Sequence, residues 1–191
     1  EVGTFCTGCH TPIGTYEGEP AWMQGAERSP KSQEGVSCDY CHSVTNHTGI
    51  LGNGNLEAKP SGVKYGPFES SYMGAHTTQK SDFISSPEMC GSCHDVFMFP
   101  GIQIEQAYTE YTESPAAEAG VRCQDCHMGP EPGAVSERPI GPAAIVSGVP
   151  GPDRVLSDHS FVGPDYSLLD TFPYSDDVPG SLEAQAEYMT R

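Results

Sequence analysis

The chain has 191 residues, with 26 acidic and 9 basic side chains and a net charge of −17, and this length suits one domain. An acidic chain without a cluster of Lys or Arg repels phosphate backbones and anionic membrane surfaces, which argues against nucleic acid as a partner. The longest apolar stretch, residues 142–149, is far shorter than the roughly 20 residues needed to cross a bilayer, so we expect no membrane span.

Hydrophobic residues make up 36% of the chain, and Gly and Pro are frequent, at 22 and 17 residues. Because this composition gives a thin core and many turns, we expect mostly loops and turns with short α-helices and little or no β-sheet. In chain order, the sequence predicts loops over residues 49–66, a helix over 104–119 that Ser114-Pro115 interrupts, loops over 129–152 and a helix over 181–191.

The eight cysteines form four C-x-x-C pairs, and a histidine directly follows each pair. Motif 1 is Cys6, Cys9 and His10; motif 2 is Cys38, Cys41 and His42; motif 3 is Cys90, Cys93 and His94; motif 4 is Cys123, Cys126 and His127. This is the attachment sequence of c-type haem, in which two thiols bind the vinyl groups of one porphyrin and the histidine is the proximal iron ligand. Disulfides, zinc pairs and a thioredoxin-like redox pair do not require that histidine.

The motifs therefore predict four covalently bound haem c groups, each carried on a short helical turn. Four porphyrins are large apolar bodies, and a chain wrapped around them gains the burial that its own side chains lack. Because thioether attachment takes place after export, we expect the protein to be extracellular or on the cell surface, with the periplasm as the alternative.

Three histidines remain as distal ligands, namely His47, His76 and His159. They provide a distal ligand for three of the four haems. For the fourth haem the alternatives are a methionine, the N-terminal amine, a ligand from elsewhere or an open position. The candidate methionines are Met23, Met73, Met89, Met98, Met128 and Met189. Five residues span at most about 17 Å, so we expect His47 to ligate a haem neighbouring that of His42.

The motifs are separated by 32, 52 and 33 residues, and the string S-P-x-x-x-x-G-V-x-C-x-x-C-H occurs twice, starting at Ser29 and at Ser114. This favours an internal duplication. We expect one tetrahaem domain over residues 1–191, with two two-haem units at about 1–50 and 85–130 and a ligand-bearing segment over 131–191.

Asn46-His47-Thr48 is a glycosylation sequon. Because the sequon contains a candidate haem ligand, chance occurrence is the simpler interpretation of it at this level.

Several segments carry a family resemblance: Gly66-Pro67-Phe68, Gly74-Ala75-His76, and residues 86–96, 108–111, 120–128, 151–154 and 159–163. Through them, most of the chain up to about residue 170 resembles the multihaem c-type cytochromes related to the nitrification tetrahaem cytochrome. The resemblance implies that His76 and His159 are distal ligands. The group includes subunits of extracellular cytochrome nanowires, in which haems form a continuous chain and an axial ligand can cross a subunit boundary.

We therefore expect electron transfer through closely packed haems in a homopolymer filament, which exchanges electrons with redox proteins or extracellular acceptors. This role is that of a redox carrier and not of an enzyme. The alternatives are a multihaem enzyme that acts on a small nitrogen or sulfur compound at one open-coordinate haem, and a diffusible periplasmic carrier.

Overall fold

A computed structural model of the chain describes residues 4–69, 76–99, 101–131, 134–159 and 161. The chain divides into two compact units, Glu1–Gly120 and Val121–Arg191. Within the described residues the helices are α1 (Thr4–His10), α2 (Pro12–Tyr16), α3 (Pro30–Gln33), α4 (Cys38–Cys41), α5 (Pro87–Gly91), α6 (Ala107–Thr112), α7 (Pro115–Glu118) and α8 (Cys123–His127). One-turn 3-10 helices lie at Gly25–Glu27 and Phe83–Ser85.

The described strands are equally short. They are β1 (Val44–His47), β2 (Leu56–Ala58), β3 (Val63–Gly66), β4 (Thr77–Lys80), β5 (Val96–Phe99), β6 (Ile102–Glu105), β7 (Ile140–Pro142), β8 (Ile145–Val146), β9 (Val149–Pro150) and β10 (Asp153–Val155). They pair two by two: β1 with β2, β5 with β6, β7 with β10 and β8 with β9 are antiparallel, and β3 with β4 is parallel.

Proline and glycine explain why the helices are so short. Helices α2, α3, α5 and α7 begin at a proline, whose fixed φ suits the first helical turn. Gly35 and Gly120 follow α3 and α7 with φ angles of 69° and 71°, a left-handed conformation that ends a helix.

The first unit holds motifs 1 to 3. Helix α1 packs against α2, α2 against α3, and α5 against α6 and the 3-10 turn at Phe83–Ser85. Strand β1 contacts both that turn and α5. Among the described residues the buried apolar side chains are Tyr40 and Val44, while Ser32, Ser43, Ser92 and Asp95 of the same unit are also buried. Within the described residues, the apolar core is therefore very small.

The second unit holds motif 4 on α8 and an extended hairpin. Strands β7 and β10 form its base, with Ile140 opposite Val155, and β8 and β9 form its tip, with Val146 opposite Val149. Residues 142–150 are all exposed.

The expectation of loops, turns and short helices is confirmed, but more sheet is present than expected. Strands β2 and β3 lie within residues 49–66, and β7, β8 and β9 lie within residues 129–152, which we had predicted as loops. The helix predicted over 104–119 is broken at Ser114-Pro115 as expected, but residues 104 and 105 belong to β6. The helix predicted over 181–191 lies outside the described residues, and the division into haem-binding units stays a prediction.

Within the part of the chain that the structure describes, no helix has the length and apolar character needed to cross a membrane.

Candidate functional site

Each of the four motifs lies on or directly follows a single helical turn. Motif 1 ends α1, motif 2 begins α4, motif 3 spans the end of α5, and motif 4 forms α8. Residues three positions apart lie on one side of a helical turn, so the two thiols of each motif are presented together. Each motif thus offers two adjacent thiols and a histidine.

All eight cysteines lie among the described residues, and no disulfide joins any of them. Two of them are exposed, Cys6 and Cys38. The other six are half-buried: Cys9, Cys41, Cys90, Cys93, Cys123 and Cys126. Cys123 and Cys126 belong to the second unit, and the other six cysteines belong to the first. The predicted attachment residues are therefore available for modification, and their role as haem anchors stays a prediction.

The repeated string ahead of motifs 2 and 4 adopts the same local structure twice. Ser29 caps α3 and Ser114 caps α7, and each hydroxyl accepts a hydrogen bond of 3.3 Å from the backbone N–H three residues later. Each one-turn helix then ends at a left-handed glycine, Gly35 or Gly120. The same capped turn therefore leads the chain into both motifs.

Motifs 1, 2 and 3 meet around Tyr40, which lies between the cysteines of motif 2. The Cys93 thiol donates a hydrogen bond to Cys9, which raises the pKa of Cys93 and lowers the pKa of Cys9. Burial, followed by the nearby thiols of Cys93, Cys41 and Cys9, raises the pKa of Tyr40 to about 12. Burial also raises the pKa of Cys41. One cysteine from each of the three motifs thus lies close to the same buried phenol.

A tight turn holds motifs 1 and 3 together. The Gly54 N–H donates to the carbonyl of Ser92, within motif 3, at 2.7 Å. Gly54 has a φ of 72°, and a Cβ there would lie 2.9 Å from the carbonyl carbon of Gly8, within motif 1. The Asn53 side chain donates to the Phe97 carbonyl at 2.9 Å and accepts from the Phe97 N–H at 2.7 Å. Glycine is required at position 54 by both its φ and this close approach.

Asp95, the residue after motif 3, joins that motif to α6. Its buried carboxylate accepts hydrogen bonds from the Gln103 amide at 2.7 Å and from the Thr109 N–H and hydroxyl at 3.1 and 2.9 Å. The Tyr108 ring covers Gly91 so closely that a Cβ on Gly91 would lie 2.3 Å from the nearest ring carbon. Motif 3 is therefore fixed on one side by α6 and on the other by the turn at Gly54.

Charged side chains fix motif 4 in the second unit. Arg122 and Asp125 cap α8: Asp125 accepts from the Arg122 N–H at 2.9 Å and from its guanidinium at 2.8 Å. These hydrogen bonds lower the pKa of Asp125. Arg138, from the chain just before β7, donates to the Gln124 carbonyl and, at 2.9 Å, to the Ser157 hydroxyl. Arg138 therefore ties α8, which carries Cys123 and Cys126, to the segment that follows β10.

Two of the histidines have ring environments that favour iron binding. The Nδ1 atom of His42 lies 2.6 Å from the Tyr65 carbonyl oxygen, so Nδ1 carries a proton and Nε2 is the ring nitrogen that would bind iron. The Nδ1 atom of His47 is buried without a hydrogen-bond partner, and its ring centroid lies 6.2 Å from that of Phe83. Strand β1, which ends at His47, contacts α5 of motif 3.

The other predicted ligands are more exposed. The Nδ1 atom of His76 lies 3.4 Å from the Thr77 carbonyl oxygen, and that of His159 lies 2.9 Å from the Ser157 carbonyl oxygen. The Asp158 N–H donates to the Met128 carbonyl at 2.9 Å, which brings the segment of His159 beside the end of motif 4.

A cavity of about 350 Å³ opens beside motif 1, and its lining includes His10, Thr11, Arg28 and Gln33. Met73 and Met189, two candidate sixth ligands, lie outside the described residues. Among the residues that are described, no three or more His, Cys, Asp or Glu side chains group together in a way that could hold a metal ion.

Sequence reasoning missed three positioning features. Tyr40 is the variable residue of motif 2 on which three motifs converge, and the sequence carries no signal for that. The glycines flanking Asn53 in Gly52-Asn53-Gly54 do signal a turn, but not its position between motifs 1 and 3. Arg138 is one of only 9 basic residues in an acidic chain. The small number of basic residues is the one sequence signal that Arg138 has a structural partner.

Comparisons of the chain with protein-family models, with curated proteins and with solved structures found no match.

Proposed function

We propose that this chain is an electron-transfer protein that binds four c-type haems covalently, one at each C-x-x-C-H motif. One observation carries the proposal: four cysteine pairs without disulfides, each at a helical turn and followed by a histidine, with one cysteine from each of three motifs close to Tyr40. When bound, a haem c supplies an iron that alternates between ferric and ferrous states.

The residues fit this cofactor. In each motif the two thiols would form thioether bonds, and His10, His42, His94 and His127 would be the proximal ligands. The hydrogen bond from His42 to the Tyr65 carbonyl is the kind of second contact that orients a ligating histidine. The small described core, Tyr40 and Val44, leaves the apolar burial to a bound group.

His47 supports the same interpretation. A buried polar atom without a partner costs about 1–3 kcal/mol, and Nδ1 of His47 is such an atom. Ligation of iron through Nδ1 of His47 would give this buried atom the partner that it lacks. Because β1 contacts α5, we propose that His47 serves the haem of motif 3, while His76 and His159 serve two others.

The contact between Cys9 and Cys93 bears on how the haems are ordered. These thiols are anchors of different porphyrins, and they are hydrogen-bonded to each other. We therefore propose that the haems of motifs 1 and 3 are neighbours in space, although motifs 1 and 2 are neighbours in the sequence. Electron exchange falls steeply with separation, so this contact is where we expect fast transfer within the first unit.

Intact-mass spectrometry of the purified protein tests cofactor binding. We expect four haem additions, and three in each of the double variants Cys90→Ala/Cys93→Ala and Cys123→Ala/Cys126→Ala. The matched control Ser61→Ala, at an exposed position outside the motifs, retains four. A mass of the bare chain, or of a chain with disulfides, contradicts the proposal.

Spectroscopy separates a carrier from an enzyme. Four low-spin ferric signals and no binding of carbon monoxide by the reduced protein fit electron transfer alone. A high-spin signal or carbon monoxide binding favours the alternative, a haem with an open position that acts on a small nitrogen or sulfur compound.

We further propose that copies of the chain assemble into an extracellular filament, which the family resemblance implies. The surface on which we base this is the hairpin tip, residues 142–150, which is exposed and has no charged side chain. Cryo-EM of the sample should show filaments, and Ile145→Asp should abolish them. The control Ile50→Asp changes an equally exposed isoleucine outside the hairpin and should leave them intact. Monodisperse particles under all conditions favour a diffusible carrier.

A further inference from the structure

The sequon Asn46-His47-Thr48 lies at the end of β1, where the backbone is irregular. The pairing of β1 with β2 shifts between Val44 and Asn46, so that Thr45 forms a bulge. A bulge reverses the alternation of side chains along a strand. Val44 is fully buried and Asn46 is exposed, although two residues separate them and a regular strand would place them on one face.

Beyond this bulge, the candidate iron ligand His47 and the neighbouring sequon residue Asn46 lie in different environments. Nδ1 of His47 is buried, whereas the neighbouring Asn46 and Thr48 side chains are exposed. A group attached to Asn46 therefore extends into solvent without displacing the His47 ring. The candidate haem ligand within the sequon is therefore no physical reason to interpret the sequon as a chance occurrence.

The surroundings of Asn46 also suit a modified asparagine. Its side-chain carbonyl oxygen accepts the His47 N–H at 2.9 Å, a bond that does not use the Nδ2 amide. The chain continues through Gly49, with a φ of 63°, to Ile50, which is 80% exposed. A sugar at Asn46 would add a bulky hydrophilic group to this exposed part of the chain.

We propose that Asn46 is N-glycosylated in the exported protein, an inference that rests on the extracellular location given under the proposed function. In the transfer, a bond forms between Nδ2 of Asn46 and the anomeric carbon of a sugar. The bond from that carbon to the phosphate of a lipid-linked sugar donor breaks, the lipid phosphate leaves, and the amide proton passes to a base of the transferase. Thr48 supplies the hydroxyl that the sequon requires.

Mass spectrometry of peptides from the protein purified from its native source tests this inference. We expect a series of sugar masses attached to Asn46 in the peptide that contains it. Asn55 is also exposed but lies in no sequon, and it should carry no sugar. In the same source, Thr48→Ser should keep the sugar and Thr48→Ala should lose it completely. Both variants leave His47 unchanged.

Two results would overturn the inference: a bare Asn46 in the native protein, or sugar masses that persist on this peptide in Thr48→Ala. The same spectra report haem additions independently. A bare Asn46 with four haems contradicts the glycosylation alone, whereas a chain without haem contradicts the proposed function.

Discussion

Replacing Gly91 by Ala tests how motif 3 is fixed against α6. A Cβ at this position would lie 2.3, 2.4 and 2.9 Å from three carbons of the Tyr108 ring. Overpacking of this kind costs about 1–3 kcal/mol. Alanine regains at most about 1 kcal/mol of helix preference over glycine. Because three ring carbons are involved, we take the upper part of the overpacking range, about 2–3 kcal/mol, and after this offset expect a net loss of about 1–2 kcal/mol in the free energy of unfolding.

Thermal unfolding followed by circular dichroism in the far ultraviolet measures this loss without relying on haem absorbance. For a chain of this size the expected fall in Tm is about 2–8 °C. Gly62→Ala is the matched control, because no atom lies within 4 Å of its added Cβ and its φ is not positive, and it should change Tm little.

A double variant locates the cause of the effect. In the background Tyr108→Ala, the ring that causes the clash is gone, so adding Gly91→Ala should cost much less than it does in the native chain. If Gly91→Ala is as stable as Gly62→Ala, or if its cost is unchanged in the Tyr108→Ala background, the contact between the ring and Gly91 does not explain how motif 3 is held.

Three further predictions concern polar contacts. Side-chain hydrogen bonding by Ser29 is the main cause that lowers the pKa of Glu19 from 4.5 to about 2, so its contribution to stability is complete above pH 4.5 and is lost as the pH falls toward 2. An acid titration of Glu19→Gln should lack this step, and an unchanged titration refutes the assignment. Arg138→Ala should cost about 1–3 kcal/mol and speed hydrogen exchange in α8, because the Gln124 carbonyl loses its guanidinium donor; exchange rates like those of the native chain contradict it. Ser114→Ala removes a helix cap and should cost about 0.5–2 kcal/mol in urea unfolding, and Ser29→Ala should cost more because it also removes the side-chain hydrogen bond between Ser29 and Glu19; equal losses rule out that difference.

The local structure of the motifs could be predicted from the sequence because it depends on residues close along the chain. The string that begins at Ser29 and again at Ser114 contains a cap, a proline and a glycine, and it forms the same capped turn both times. The break at Ser114-Pro115 was predicted for the same reason, since proline restricts the residue before it.

The strands could not be predicted in this way. Those of the hairpin tip, β8 and β9, have two residues each, and β1 has a bulge after Val44 that removes the alternation from which strands are recognised. Their pairing is decided by turns and by contacts between distant segments. Strand β4, which pairs in parallel with β3 and places Thr77 opposite Val63, contains no apolar residue at all.

The spatial grouping of the motifs was also beyond the sequence. Motifs 1, 2 and 3 lie in the first unit, where the Cys93 thiol donates a hydrogen bond to Cys9, whereas the two two-haem units suggested by the spacing stay a prediction. This contact depends on the fit of Gly54 between Gly8 and Ser92, three residues far apart in the chain. Such a fit is a property of the folded backbone and leaves no periodic signal.

The net charge of the chain limits which surfaces can form the contacts of a filament. Copies with a net charge of −17 repel each other within about 10 Å, and burying carboxylates in a contact adds a desolvation cost. A contact between copies is therefore favoured where side chains are uncharged, as at residues 142–150. Asn46 lies opposite Glu57 in the pair of β1 and β2, and a sugar at Asn46 would prevent close approach there. The two proposals thus assign different surfaces to solvent and to assembly, and a filament whose subunit contact covers Asn46 would contradict the glycosylation of Asn46.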